Sequence, residues 1–359
     1  MRYCLIGCGR VSPSHIRAAR ENGLTIAGLC DIDPAQVAAN LGFAGNLGFA
    51  GNLGNPGAPV FTNYQAMLAE IRPALVAIAT PSGLHAQMAL DSLAAGAHVI
   101  IEKPVAMSME DAEKIKRAAS ETGLVVCNNL QNRFNPAVRA LREAVEAGRL
   151  GRILSASLRL RWFRGEDYYR QAAWRGTRAL DGGAMMNQGI HGIDLLCWML
   201  GEPRRVTAIT TRLLREIEME DLGMAVVEFQ SGALASIECT TLRYPKAEES
   251  VLELSGERGC VRLGGVAGHV VEAWRFDDAP PGEEAAMRAK FSMEPSSVYG
   301  SGHSLLYADM LAAIRGNKKP LVGAGEGARA LSIVLGAYES AQTGKTVLVN
   351  SECGMRNSE

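Results

Sequence analysis

Two residues in this chain have the type and setting for charge and proton chemistry: a lysine that ends an apolar run and a histidine on a helix. The run Val99-Ile100-Ile101-Glu102-Lys103-Pro104 suits an interior strand of a parallel sheet, predicted over 97–102, and Pro104, which has no N–H for a ladder, marks its end. Lys103 then lies at the sheet's carboxyl edge, where open α/β sheets bind ligands, and supplies a cation there. From Asp181 the chain reads DGGAMMNQGIHGIDLLCWMLG. Asn187 and His191 are four apart and His191 and Asp194 three apart, so a helix over about 184–200 carries all three near one face, with Met186, Ile190, Ile193 and Leu196 marking a buried one. An imidazole titrates near ~6.5 when unperturbed, which suits a general base at neutral pH. The same histidine also reads as a hydrogen-bonded core residue.

Upstream, a short apolar strand at 3–6 runs into Gly7-Cys8-Gly9-Arg10-Val11-Ser12 and a helix over 13–21. Glycines let a backbone approach a pyrophosphate, and the helix N-terminus offers it free N–H groups. Ser12 replaces the third glycine of the pattern, and a plain tight turn is the alternative. A second strand, 24–30, ends in Asp31, 22 residues after Gly9, close to the spacing of the carboxylate that grips a ribose. Such a carboxylate repels a 2′-phosphate, so NAD is expected over NADP. Asp33 before Pro34 is the better helix cap, which leaves Asp31 free. Thr80, Pro81, His85 and Glu102 also fall at strand ends or just beyond, and His85 reads equally well as a structural histidine.

Downstream, residues 159–178 hold six arginines (159, 161, 164, 170, 175, 178) against two acids, interleaved with Trp162, Phe163, Tyr168, Tyr169 and Trp174. Arginine forks suit phosphate and carboxylate, and aromatic faces suit a base or sugar. A solvated strand and loop at a subunit contact is the alternative.

The elements that must position these residues follow from periodicity. Strands alternate with helices through residue 128, which predicts a doubly wound parallel Rossmann sheet. After a helix at 135–147, strand-like stretches at 152–163, 204–214, 222–230, 233–242, 250–255 and 259–263 predict an α+β second domain with a largely antiparallel open sheet. Two late helices, 303–315 and 325–343, pack back on the body. The division expected is 1–128, 129–350 and a frayed tail over 351–359. LGFAGN at 41–46 recurs at 47–52 and reads as a lengthened surface loop. With 37 basic and 38 acidic residues there is no global field for nucleic acid or an acidic membrane. Eight cysteines without a CxxC pair argue for reduced thiols and against a disulfide frame or a metal site. The chain shows no signal peptide and no membrane-spanning run, so a cytoplasmic location is expected.

Gly7-Cys8-Gly9-Arg10, Thr80-Pro81 with His85, Glu102-Lys103-Pro104, and Gly182-Gly183 leading to His191 and Asp194 together resemble the Gfo/Idh/MocA oxidoreductases. On that resemblance Lys103 matches the family's catalytic lysine and His191 its catalytic histidine. Asn187 stands where many members place an aspartate, which argues against the polyol dehydrogenases. A narrower resemblance runs through Gln131-Asn132-Arg133-Phe134-Asn135-Pro136, Tyr168-Tyr169 to Thr177, 181–196, 262–265 and 299–303. It is to bacterial UDP-N-acetylglucosaminuronate 3-dehydrogenases of the WlbA type. It implies oxidation of the sugar C3 hydroxyl in surface-polysaccharide (lipopolysaccharide) biosynthesis, tightly held NAD, 2-oxoglutarate as hydride acceptor in some members, and a homotetramer. The cofactor set it implies is Gly7, Gly9, Arg10, Val11, Asp31, Thr80, Pro81, His85, Glu102, Lys103, Gln131, Trp174 and Arg175. For a nucleotide-sugar substrate it implies Lys103, Arg161, Arg164, Tyr169, Arg175, Asn187 and His191, with His191 taking the hydroxyl proton, Lys103 holding the oxygen and Asn187 orienting the sugar. An ammonium from the first domain and an imidazole from the second are expected to meet on one alcohol. Another sugar or polyol substrate, an NAD-using glycosidase and a non-enzymatic cofactor sensor remain open.

Overall fold

Alternation of short buried runs with amphipathic helices builds the first sheet. The computed structural model describes residues 1–43, 58–244, 248–266, 268–292, 302–316 and 318–349. Most of the duplicated loop and the expected tail lie outside them. The elements are β1 (Arg2–Ile6), α1 (Ser12–Glu21), β2 (Thr25–Cys30), α2 (Pro34–Phe43), β3 (Val60–Phe61), α3 (Tyr64–Ile71), β4 (Leu75–Ile78), α4 (His85–Ala94), β5 (His98–Ile101), α5 (Met109–Thr122) and β6 (Val126–Asn128). All six strands are parallel, in the order β3-β2-β1-β4-β5-β6. Their runs Leu75–Ile78 and Val99–Ile101 are fully buried, as interior strands covered on both faces must be. Local signals set the helix ends: Ser108 caps α5 by accepting the Asp111 N–H, and Gly123 closes it in the left-handed conformation. Strand order reverses between β1 and β4, which opens a crevice at their carboxyl ends.

The chain continues through α6 (Pro136–Glu146), β7 (Ile153–Trp162), α7 (Glu166–Arg170), α8 (Ile190–Leu200), β8 (Pro203–Thr211), β9 (Leu222–Phe229), β10 (Leu234–Thr240), β11 (Glu248–Gly256), β12 (Gly259–Gly264), β13 (Val270–Phe276), α9 (Glu283–Lys290), α10 (Gly302–Gly316), α11 (Ala324–Thr343) and β14 (Val347–Leu348). The second sheet has the order β13-β12-β11-β7-β10-β9-β8-β14 and is antiparallel except for the β7–β10 pair. Period-two alternation buries Leu158, Leu160, Ala208, Ala225, Val227, Ile237 and Cys239 on one face. On the other, Ile209, Met224, Val226 and Leu234 are 75%, 50%, 53% and 50% exposed.

Two compact units result, Met1–Leu130 with Ser301–Gly327 and Gln131–Gly300 with Ala328–Glu359. The expected division kept 129–350 together, whereas α10 returns to the first unit and packs on α1, its Tyr307 hydroxyl 2.8 Å from His15. A helix's apolar stripe states that it needs a partner and not which one. Strands β3 and β13 and helices α3, α7 and α9 had no expected counterpart, their runs being short or weakly periodic.

Candidate active site

In the first unit the glycine turn is built to hold something close. Gly7 has φ +90°, and a Cβ there would lie 2.5 Å from the Ala79 carbonyl oxygen and 2.8 Å from Thr80 N, so only glycine lets the end of β1 rest against the end of β4. At Gly9 a Cβ would meet nothing within 4 Å. The backbone there faces open space just before α1, with Arg10 exposed and Val11 leading into the helix. Asp31 is not free as expected. Its Oδ2 accepts the Cys8 N–H at 2.8 Å and its Oδ1 the Asp33 N–H at 2.9 Å, which ties the end of β2 to the glycine turn. Asp33 caps the following helix, accepting from Ala35 N at 3.0 Å. Each Asp31 oxygen keeps a lone pair for a ribose hydroxyl. Open backbone at Gly9 and an anchored carboxylate at the end of β2 fit a dinucleotide.

The remaining strand-end residues form a second cluster. His85 is buried between the Pro104 carbonyl at 2.8 Å and the Thr80 carbonyl at 3.0 Å. Burial pushes its pKa down, so the neutral ring donates to one of the two and staples Thr80-Pro81 to the segment after Lys103. Glu102 is also buried. Its Oε1 accepts from His15 Nε2 at 3.0 Å and from the Asn129 amide, while its Oε2 accepts the Lys103 N–H at 3.2 Å. Asn129 also donates to His303 Nε2 at 2.9 Å. The ligand atoms of His15, Glu102 and His303 lie within 4.8 Å of one another, but the Asn129 amide points N–H groups between two of them, which suits a hydrogen-bonded cluster and repels a cation. His15, Asn129 and His303 carried no spacing signal.

In the second unit, residues 184–200 are not one uniform helix. Ala184–Gly189 winds as a π-helical turn and α8 follows from Ile190. A Cβ on Gly189 would lie 2.5 Å from Cys239 Sγ and one on Gly192 2.4 Å from Leu158 Cδ1, so these glycines let the helical segment close onto the sheet. The Asn187 amide donates to Asp181 Oδ1, and Gln188 donates to the Asn187 oxygen at 3.2 Å. His191, half-buried, borders a pocket with Gln131, Leu158, Leu160, Trp162 and Gln188. Three residues on, Asp194 takes a bidentate, fully buried contact from Arg133 at 2.8 and 2.6 Å. That pair pins the 131–134 turn to α8, which sets Gln131 beside His191.

The arginine segment divides. Alternation along β7 sends Arg161 to the face opposite Leu158 and Leu160, where Glu238 holds it through two 2.7 Å bonds, so the structure parts it from the His191 pocket. Arg164 and Arg175 stay with the aromatics, their guanidinium carbons 5.3 and 4.3 Å from the Tyr168 ring, and Arg175 is also 4.6 Å from that of Trp174. Tyr169 meets the Thr241 hydroxyl at 3.1 Å, and burial pushes its phenol up to about 12. Asp181 also accepts from Gly176 N at 2.7 Å, which joins this loop to Asn187. Arg175 borders a hollow of about 500 Å³ with Arg212, Arg215 and two glutamates. Neither Arg212 nor Arg215 was anticipated, because they lie in a loop outside the arginine-rich run.

Residues 1–130 match the oxidoreductase family model described as an NAD-binding Rossmann fold, and residues 138–262 match the GFO/IDH/MocA C-terminal domain. The chain is 35% identical to the WlbA dehydrogenase of Bordetella pertussis, solved in complex with NADH and UDP-GlcNAcA, with 98% of each chain covered and a TM-score of 0.88. The chain belongs to the Gfo/Idh/MocA oxidoreductase family. A second member, the WlbA dehydrogenase of Chromobacterium violaceum, is 34% identical over 98% of this chain and 96% of that one, at a TM-score of 0.86. The D-apiose dehydrogenase of Paraburkholderia graminis is 25% identical over 97% of this chain and 89% of its own. As a Gfo/Idh/MocA member with this glycine turn, the protein is an NAD-dependent oxidoreductase. No helix among the described residues is long and apolar enough to cross a membrane.

Proposed function

We propose that this protein oxidises the C3 hydroxyl of UDP-N-acetylglucosaminuronic acid to the 3-keto sugar, in the cytoplasm, as a step towards surface polysaccharide. The observation that carries the reading is the likeness, over nearly the whole chain, to two dehydrogenases solved with NADH and UDP-GlcNAcA. Bound NAD supplies the hydride acceptor. His191 takes the hydroxyl proton, since an imidazole changes protonation near neutral pH. Lys103 holds the hydroxyl oxygen and stabilises the charge left on it, a contribution on the order of 3 kcal/mol for a donor of this kind. Asn187 orients the sugar, its own amide held by Asp181 and Gln188. Arg164 and Arg175, stacked on aromatic rings, suit the diphosphate or the carboxylate. The same reading takes 2-oxoglutarate as the compound that re-oxidises the reduced cofactor and a homotetramer as the working form.

The test is to denature the purified protein, identify the small molecules released, and then follow NADH absorbance over a panel of UDP-sugars, free sugars and polyols. NAD or NADH in the released fraction and a 3-keto product from UDP-N-acetylglucosaminuronate are the expected results. Oxidation of that substrate no faster than of a free sugar or polyol overturns the assignment, and a cleaved glycoside among the products moves it to a glycosidase.

A further inference from the structure

Glu102 immediately precedes Lys103, and its side chain, 11% exposed, is held by groups from three other segments of the first unit. His15 comes from α1, Asn129 follows β6, and His303, whose Nε2 lies 3.7 Å from Glu102 Oε1, comes from the first turn of α10. A carboxylate only accepts, so His15 presents Nε2–H to it, and in the neutral ring this tautomer leaves Nδ1 to accept the Tyr307 hydroxyl at 2.8 Å. Tyr307 in turn lies 2.9 Å from the Tyr3 hydroxyl. A buried relay therefore runs from Tyr3 through Tyr307 and His15 to the carboxylate. Asn128 secures the other side of the residue, donating to the Glu102 carbonyl at 3.2 Å. Burial alone would push the Glu102 carboxyl up, but the hydrogen bond from His15 and the other polar groups of the cluster outweigh it and hold the group well below the usual carboxylate range. Lys103, His85, Arg17 of α1, Cys127 of β6, and Cys4 and Cys8 beside Tyr3 also act on the cluster.

We infer that His15, His303 and Tyr307 are positioning residues for Lys103. They fix the Glu102 carboxylate, and its contact with the Lys103 N–H fixes the backbone from which the ammonium extends. Two of the three arrive on α10, so the segment that returns to the first unit after residue 300 completes the support of the lysine. The inference rests on the catalytic reading of Lys103, and neither the family match nor the strand-end pattern assigns these three residues a part in it.

The experiment compares Tyr307→Phe, His303→Asn, His15→Asn and Glu102→Gln with Lys103→Met in the full chain. It reads kcat, KM for UDP-N-acetylglucosaminuronate, NAD affinity, melting temperature and the acid limb of the kcat–pH profile. Tyr307→Phe and His303→Asn are expected to lower kcat tenfold or more, with KM and NAD affinity within threefold of wild type. Weakening the donors to Glu102 lets it protonate at higher pH, so a second acid-side step, below the limb set by the His191 base, moves up by at least half a pH unit. Glu102→Gln, which has no carboxylate to titrate, lacks that second step and keeps the His191 limb. Wild-type kcat in Tyr307→Phe and His303→Asn overturns the inference. So does a loss of kcat that tracks melting temperature while the second step stays in place, since a merely structural role predicts that. Should His15→Asn fail to fold, Tyr307→Phe, which removes one oxygen, decides alone. Full turnover in Lys103→Met instead removes the catalytic reading, a separate outcome from failure of the relay.

Discussion

Lys103 and His191 differ in what surrounds them, and their substitutions should report different losses. Lys103→Met keeps an unbranched side chain and removes the charge, while His191→Asn keeps polarity in the pocket with Gln131 and Gln188 but removes the titrating ring. Each should lower turnover at least a hundredfold with NAD still bound, measured by steady-state kinetics beside cofactor fluorescence; near wild-type rates in either would remove its role. Asp31 has two duties, because it accepts two backbone N–H groups besides any ribose hydroxyl. Asp31→Ala should therefore weaken NAD and relax the rejection of NADP, and Asp31→Asn, which keeps one acceptor oxygen, should lie between it and wild type. Unchanged NAD/NADP preference in both would leave the carboxylate only the duty of holding the glycine turn. The places of Lys103 and Asp31 just past strand ends were legible because strand ends and glycine turns are local patterns. That Asp31 is already engaged was not, since Cys8 lies 23 residues away and meets it only once β1 and β2 pair.

At the scale of elements, the π-helical turn before α8 depends on a buried acid. Glu220 accepts the Met185 N–H at 2.8 Å and the Tyr338 hydroxyl at 3.1 Å, and burial pushes its carboxyl up to about 7. A carboxyl raised above its unfolded value of 4.5 stabilises the fold fully below that pH and loses the contribution as pH rises towards about 7. Glu220→Gln stays neutral and still offers an acceptor oxygen. Relative to the variant, the wild type should lose on the order of 3 kcal/mol of unfolding free energy between pH 4.5 and 7, as measured by denaturant titration at several pH values. Parallel stability curves would show that the acid does not titrate in that window. The sequence pattern predicts a helix over 184–200 but not the π winding of its first turn, where Gly189 closes onto Cys239. Side-chain periodicity carries no record of that contact. The Arg133–Asp194 pair is hidden for the same reason, its partners being 61 residues apart.

For the whole molecule, the uncovered face of the second sheet bears on the proposed tetramer. Ile209 opposes Met224 across β8 and β9, and Val226 opposes Ser236 across β9 and β10, so the apolar side chains sit on adjoining strands and not singly. An exposed apolar patch of this kind marks a contact surface. Charge placed there, as in Ile209→Lys with Val226→Lys, should shift the protein to smaller species in analytical ultracentrifugation, and an unchanged distribution would place the contacts elsewhere. The sequence by itself determined the parallel sheet, the mostly antiparallel one, the glycine turn and the strand-end lysine. Each is written in residues close together along the chain, through periods of two or 3.6 and through the backbone limits of glycine and proline. Only tertiary structure decided that Arg161 faces away from the His191 pocket, that α10 returns to the first unit, and that Glu102 rests on His15 and His303. Those outcomes depend on which distant surfaces bury one another, and an apolar stripe or a lone histidine states the need for a partner without naming it.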